Sequence, residues 1–267
     1  MSKKIHPTAI IDESVKIGND VEVGPFCVLQ GDIEIGEGTK LENNVCINGK
    51  NGHIKIGKNN HIFPFACIGS DPQDNKFVGE ESSVSIGDNN IIREYCTING
   101  GSNVGNVLAD TKNITVVGNS CYLYISSHVA HDVYLEDRVT LTNCVGISGH
   151  VKIGHDTIVG GLSGVHQFVN IGHNVMIGGL CAIANDVPPY AIVLSNPSRV
   201  SGANLVGLKR AGMKPEDIKK ISWFYKEIAS SDIHLTDILA KYEDEGSEYV
   251  KDIINFIKHG GKRGWLV

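Results

Sequence analysis

An aliphatic side chain, often followed by glycine, returns at every sixth position along most of the chain. The series opens Ile11, Ile17, Val23, Leu29, Ile35, Leu41, Ile47. It resumes as Ile56, Ile62, Ile68, again as Ile86, Ile92, Ile98, and then runs unbroken from Val117 to Ile183. A period of six fits neither the 3.6-residue helix nor the heptad, and the interspersed glycines and asparagines would be unfavourable inside helices. It fits a hexapeptide β-helix, in which each hexad is one short strand plus a turn and three hexads close a triangular coil. Coils stack at about 4.8 Å, the spacing of neighbouring strands, with the aliphatic residue pointing into the prism. No coil buries its own core, so an interrupted array still forms one domain by stacking roughly eight coils.

Two polar insertions break the rhythm, Ser70 to Ser85 and Gly100 to Val116. Loops interrupting a rigid repeat are candidates for binding. The array is predicted to stop at Asn185-Asp186-Val187-Pro188-Pro189-Tyr190, because consecutive prolines remove ladder donors. From about Leu205 the apolar spacing becomes helical, with Ile218, Ile221, Phe224, Tyr225 and Ile228, and Pro215-Glu216-Asp217 reads as a helix start. A second series, Tyr249, Ile253, Ile254, Ile257, closes the chain. The predicted fold class is thus all-β with an α-helical C-terminal part: a parallel β-helix over residues 1–190 and a small helical domain over 191–267.

A net charge of -6, with 20% charged and 41% hydrophobic residues, is that of an ordinary globular protein and disfavours a nucleic-acid surface. The opening Met1 to Pro7 leads into no apolar stretch long enough for a signal peptide or a membrane span, so the expected compartment is the cytoplasm. Seven cysteines without a C-x-x-C pair fit neither a disulfide framework nor a zinc site. Cys27, Cys96, Cys121 and Cys181 each fall two positions before a core aliphatic, where small packing residues are expected.

The densest titratable group is His128-Val129-Ala130-His131-Asp132, followed by Gly149-His150 and His166-Gln167. With three hexads per coil, His131, Gly149 and Gln167 form one column on the prism, and Asp132, His150 and Phe168 the next. Such a groove meets the needs of acyl transfer: an imidazole takes a hydroxyl proton, a carboxylate orients it, and a backbone N–H holds the oxyanion. No serine or cysteine is paired with a base, so direct attack on a thioester is the simpler mechanism. Solvated histidines on an outer wall fit the same spacing. Metal ligation by His128 and His131 would need a third converging ligand, and a period-two strand would send the two to opposite faces.

Several signatures carry a resemblance. Ile5-His6-Pro7-Thr8-Ala9, Gly24-Pro25-Phe26, Pro72 to Phe77, Ile92-Arg93-Glu94, His128 to Asp132, Gly149-His150-Val151, Val165 to Phe168, Asp186 to Tyr190 and Gly207 to Arg210 together resemble the UDP-N-acetylglucosamine O-acyltransferases of lipid A biosynthesis, nearly end to end. The resemblance implies left-handed coils, a homotrimer with sites between subunits, and neither cofactor nor metal. It implies transfer of a 3-hydroxyacyl chain from acyl carrier protein to the sugar 3-hydroxyl of UDP-N-acetylglucosamine. A related β-helix N-acyltransferase acting on a 3-amino sugar nucleotide is the alternative.

By the same resemblance, His131 is the general base, Asp132 its orienting carboxylate and Gly149 N–H the oxyanion contact. Asp74, Lys76, His128, His150, His166 and Gln167 hold sugar and acyl-phosphopantetheine, while Asn204 and Arg210 reach the nucleotide. Gly179 stands where the family measures acyl length, and it leaves the groove open for a long chain unless Pro197 or its neighbours shorten it. Asn99-Gly100-Gly101-Ser102 departs from the commoner His followed by a basic residue, and Val206 and Ala211 replace polar groups near the nucleotide. The basic stretch from Lys209 to Lys220 is either a docking surface for an acidic carrier protein or a solvated helix face.

Overall fold

The computed structural model describes residues 4–102, 113–194, 197–230, 238–239, 241–242, 247–261 and 263–266. The part of the second insertion from 103 to 112 lies outside them.

Each hexad folds as the pattern dictates, a short strand followed by a turn, with the aliphatic residue half-buried at Ile11 and Ile17 and buried from Val23 onward. The strands form three walls of parallel ladders. The first runs from Lys4–Ile5 through Tyr122–Leu123 and Met176–Ile177 to Ala191–Leu194. The second contains His128–Val129, Gly146–Ile147, Gly164–Val165 and Ala182–Ile183 in register. The third contains Tyr134–Leu135, Lys152–Ile153 and Asn170–Ile171. Between hexads the chain bends through a residue in the left-handed region, such as Asp132 (φ 58), His150 (φ 61) and Phe168 (φ 66) on the edge joining the second and third walls.

Two strands depart from the hexad rhythm. Val28–Ile35 and Cys46–Ile56 pass through a corner without breaking, and join the second and third walls into one sheet. Gly31 (φ 91) makes the bend, because a Cβ there would lie 2.3 Å from the Gly49 carbonyl. The short insertion after Ile47 therefore stays in the ladder and adds Ile54 to the core.

The first wall runs past residue 190. Ala191–Leu194 pairs parallel with Met176–Ile177, and Arg199–Ala203 folds back antiparallel on it. Three helices follow among the described residues: α1 (Leu205–Arg210), α2 (Pro215–Ser230) and α3 (Glu248–Lys258). Helix α2 starts at Pro215 with Glu216 and Asp217 in its first turn, where acidic groups meet the helix dipole. It buries Ile218, Ile221, Phe224 and Tyr225, and Tyr225 Oη donates to the Pro189 carbonyl. Helix α3 buries Val250, Ile253 and Ile254. No described helix is long and apolar enough to cross a membrane.

Cys27, Cys96, Cys121 and Cys181 are buried free thiols, in keeping with a packing role. Burial pushes the Cys121 thiol up to about 11, far from a reactive thiolate.

Candidate active site

The strand His128–Val129 ends one residue before the chain turns the corner between the second and third walls. His131 and Asp132 occupy that turn, buried at 5% and 6% exposure. One coil on, Gly149 and His150 occupy the same turn, and His150 N–H donates to the His131 carbonyl. After another coil, Phe168 N–H donates to the Gly149 carbonyl. The two columns expected from the pitch are therefore present on one edge. The opposite-face expectation for His128 and His131 does not hold, since both line one cleft. Strand alternation stops at Val129, and the turn swings His131 back toward the second wall.

His131 Nδ1 lies 2.8 Å from Asp132 Oδ2. An ionised carboxylate only accepts, so Nδ1 carries the proton and Nε2 is the basic nitrogen. The imidazole rests on Gly149, where a Cβ would come within 2.4 Å of Cε1 and 2.6 Å of Nε2. His150 meets His131 edge to face at 5.1 Å and stacks on Phe168 at 4.6 Å. Its Nδ1 is 3.7 Å from Asp132 Oδ2. The Gly149 N–H has no acceptor among the described residues.

His131, Asp132 and His150 offer ligand atoms within 4.8 Å of one another, a spacing a metal ion also uses. Hydrogen bonds within the protein already account for the carboxylate: Ser102 donates through Oγ and N–H, and His131 through Nδ1.

The cleft has a volume of about 610 Å³ and runs down the second wall. Gly146 and Gly164 lie open below His128, with nothing within 4 Å of where a Cβ would be, and exposed Ala182 continues the column. His166, Gln167 and Ser148 flank this trough. Thr97 Oγ1 lies 2.7 Å from His128 Nδ1. Burial, then the nearby His131, holds the His128 imidazole below its ordinary range, so it is neutral at pH 7.

The first insertion reaches the cleft through Gln73, while Asp74 accepts from Lys76 N–H and Lys76 is exposed. Other expected residues lie elsewhere. Gly179 sits exposed at the corner between the first and second walls and does not line the cleft. Asn204 caps α1: its Oδ1 accepts from Gly207 N–H and its Nδ2 donates to the Asn174 carbonyl, at the corner between the third and first walls. Arg210 ends α1, exposed.

The protein is 37% identical over 263 residues, 98% of each chain, to the acyl-[acyl-carrier-protein]–UDP-N-acetylglucosamine O-acyltransferase of Thermodesulfovibrio yellowstonii. The chain belongs to the UDP-N-acetylglucosamine O-acyltransferase family. Residues 186–266 match the family described as Udp N-acetylglucosamine O-acyltransferase, domain 2, and residues 4–49 match the bacterial transferase hexapeptide (six repeats). Among solved structures, the UDP-N-acetylglucosamine acyltransferase of Bacteroides fragilis is similar with a TM-score of 0.91 and 38% identity, over 98% of this chain and 99% of that one. The Arabidopsis UDP-N-acetylglucosamine acyltransferase is similar with a TM-score of 0.85 and 29% identity, over 98% and 100%.

Sequence reasoning gave no site role to Ser102 or Gln73, which it noted only within longer segments, and it did not single out Thr115. Thr115 Oγ1 accepts from Asp132 N–H, and Ser102 donates to the Asp132 carboxylate. Their separation from Asp132 is not a multiple of the coil, so the hexad count gives no sign of them. The second wall's small outward residues Gly146, Gly164 and Ala182 also went unremarked, although they stand one coil apart in the sequence.

Proposed function

We propose that the protein transfers a 3-hydroxyacyl chain from acyl carrier protein to the 3-hydroxyl of UDP-N-acetylglucosamine. The observation that carries this reading is His131 held at Nδ1 by Asp132, with its edge on Gly149, at the head of an open trough floored by glycines. His131 Nε2 takes the proton of the attacking hydroxyl as oxygen bonds to the thioester carbonyl carbon. Asp132 stabilises the imidazolium, and the Gly149 N–H donates to the developing oxyanion. The imidazolium then returns its proton to the departing thiolate, which leaves as the phosphopantetheine thiol.

His128, His150, His166 and Gln167, together with Asp74 and Lys76 of the first insertion, hold the sugar and the phosphopantetheine arm. Asn204 and Arg210, at another corner, reach the nucleotide from a neighbouring subunit, and Gly179 bounds the acyl chain in the same manner. A homotrimer is the assembly this requires. It is supported by a row of exposed apolar residues along the corner between the first and second walls: Phe26, Phe65, Tyr95, Leu162 and Leu180. Lys209, Arg210, Lys214 and Lys219, all exposed, suit docking of an acidic carrier protein. Seven free cysteines suit the reducing cytoplasm.

The test is His131→Ala, assayed with 3-hydroxyacyl carrier protein and UDP-N-acetylglucosamine by mass spectrometry of the product. Turnover is expected to fall about a hundredfold or more, the scale of a lost general base, with the circular dichroism spectrum unchanged. Unchanged turnover overturns the role.

A further inference from the structure

Asp132 is engaged by more than His131. Ser102 Oγ donates to Asp132 Oδ2 at 2.7 Å, and Ser102 N–H donates to Oδ1 at 2.9 Å, so one residue engages both carboxylate oxygens. Both residues are buried, Ser102 at 2% and Asp132 at 6% exposure. The Asp132 backbone is fixed as well, its N–H donating to Thr115 Oγ1 at 2.9 Å.

Ser102 arrives by a narrow path. A Cβ at Gly101 would stand 2.1 Å from the backbone of Asn113 and Ile114, and one at Gly100 would stand 2.0 Å from Ser82 Oγ. Gly100 N–H donates to the Ser70 carbonyl and Gly101 N–H to the Ser83 carbonyl. Gly100 thus passes the Ser82 side chain and Gly101 passes fixed backbone, and together they deliver Ser102 to the carboxylate.

Asp132 has two possible imidazole partners. Its Oδ2 is 2.8 Å from His131 Nδ1 and 3.7 Å from His150 Nδ1, so a small rotation of the carboxylate would exchange one histidine for the other. We propose that Ser102 is a positioning residue for acyl transfer: its two donations lock the Asp132 carboxylate in the orientation that serves His131 rather than His150. Locked so, Asp132 keeps the His131 proton on Nδ1 and leaves Nε2 basic. Ser102 touches no substrate in this role and acts through Asp132. The inference rests on the catalytic assignment of His131 and Asp132 above.

The experiment is a cycle in the full-length enzyme of Ser102→Ala, Asp132→Asn and the double variant, with Ser102→Thr and His131→Ala alongside. It uses 3-hydroxyacyl carrier protein and UDP-N-acetylglucosamine. Ser102→Ala is expected to lower kcat by about tenfold or more, the scale of one hydrogen bond to a charged group, with KM for both substrates held within about twofold. Ser102→Thr, which keeps the hydroxyl, is expected to restore most of that loss. In the Asp132→Asn background the same serine change is expected to cost little further, because groups that act as one unit are not additive.

Full turnover in Ser102→Ala, or an equal loss in both backgrounds, overturns the role of Ser102. If Ser102→Ala does not fold, Ser102→Cys, near in shape but a weak donor, takes its place in the cycle. If His131→Ala keeps its turnover, the catalytic assignment itself fails, whatever Ser102 does.

Discussion

The contact between His131 and Gly149 leaves no room for a methyl group, since a Cβ would lie 2.4 Å from Cε1 of the imidazole. Gly149→Ala must therefore push the ring off its place. A displacement near 1 Å at a reacting group lowers rate by about a hundredfold, so kcat is expected to fall on that scale while the thermal midpoint moves little, as paired kinetics and melting will check. His128 bears on stability instead. Burial and the adjacent His131 hold its folded pKa below the ordinary value, so on acidification the unfolded chain takes up the proton first. Stability contributed by neutral His128 is complete above about pH 6.5 and declines as pH falls toward its folded pKa. Urea titrations at about pH 7.5 and pH 5.5 are expected to show that decline, and His128→Gln is expected to lessen it. A column of residues repeating with the coil, such as His131 with Gly149, was legible from spacing alone. Ser102 and Thr115 were not: an insertion of arbitrary length carries Ser102, and Thr115 stands one coil before Val133, so its bond to Asp132 crosses between neighbouring columns.

Elements other than the coils meet at Asp186. Its carboxylate accepts from Asn170 N–H at 2.8 Å and Gly261 N–H at 2.7 Å, and its backbone bonds to Gly264 and Leu266. The last segment of the chain is thereby pinned to the end of the prism, and burial raises the pKa of the carboxyl that does it. Asp186→Ala leaves two backbone donors without their partner and is expected to cost about 2–4 kcal/mol in urea unfolding. A second tie is Asp252 of α3, which receives Tyr190 Oη at 2.9 Å and lies 2.8 Å from His173 Nε2. Burial would raise its pKa, but these hydrogen bonds outweigh it and hold the carboxyl below the usual range. The hexad strands were legible because one buried aliphatic per six residues admits few other folds. The corner-crossing strands Val28–Ile35 and Cys46–Ile56 were not, since their continuity depends on Gly31 packing against the next coil.

Across the whole molecule, the corner between the first and second walls stays apolar and exposed, with Leu162 at 64% and Leu180 at 66%. A lone chain gains nothing from such a strip, whereas the proposed trimer would cover it. Leu162→Arg combined with Leu180→Arg is expected to yield a smaller species in sedimentation velocity and to abolish turnover while the β-rich circular dichroism spectrum remains. A trimer that persists with full activity would assign the contact to another edge. The bends of the coil have their own effect on hardiness. Asn44, Asn89 and Asn174 suit the left-handed backbone they adopt, whereas Arg138, Tyr95 and Ser120 hold the same φ near 56–58° at a penalty of about 1–2 kcal/mol apiece. Such bends carry tension that neighbouring coils restrain, and heat tolerance can be tuned at Ser120 and Arg138, on a different corner from the one that holds Asp132 and His150.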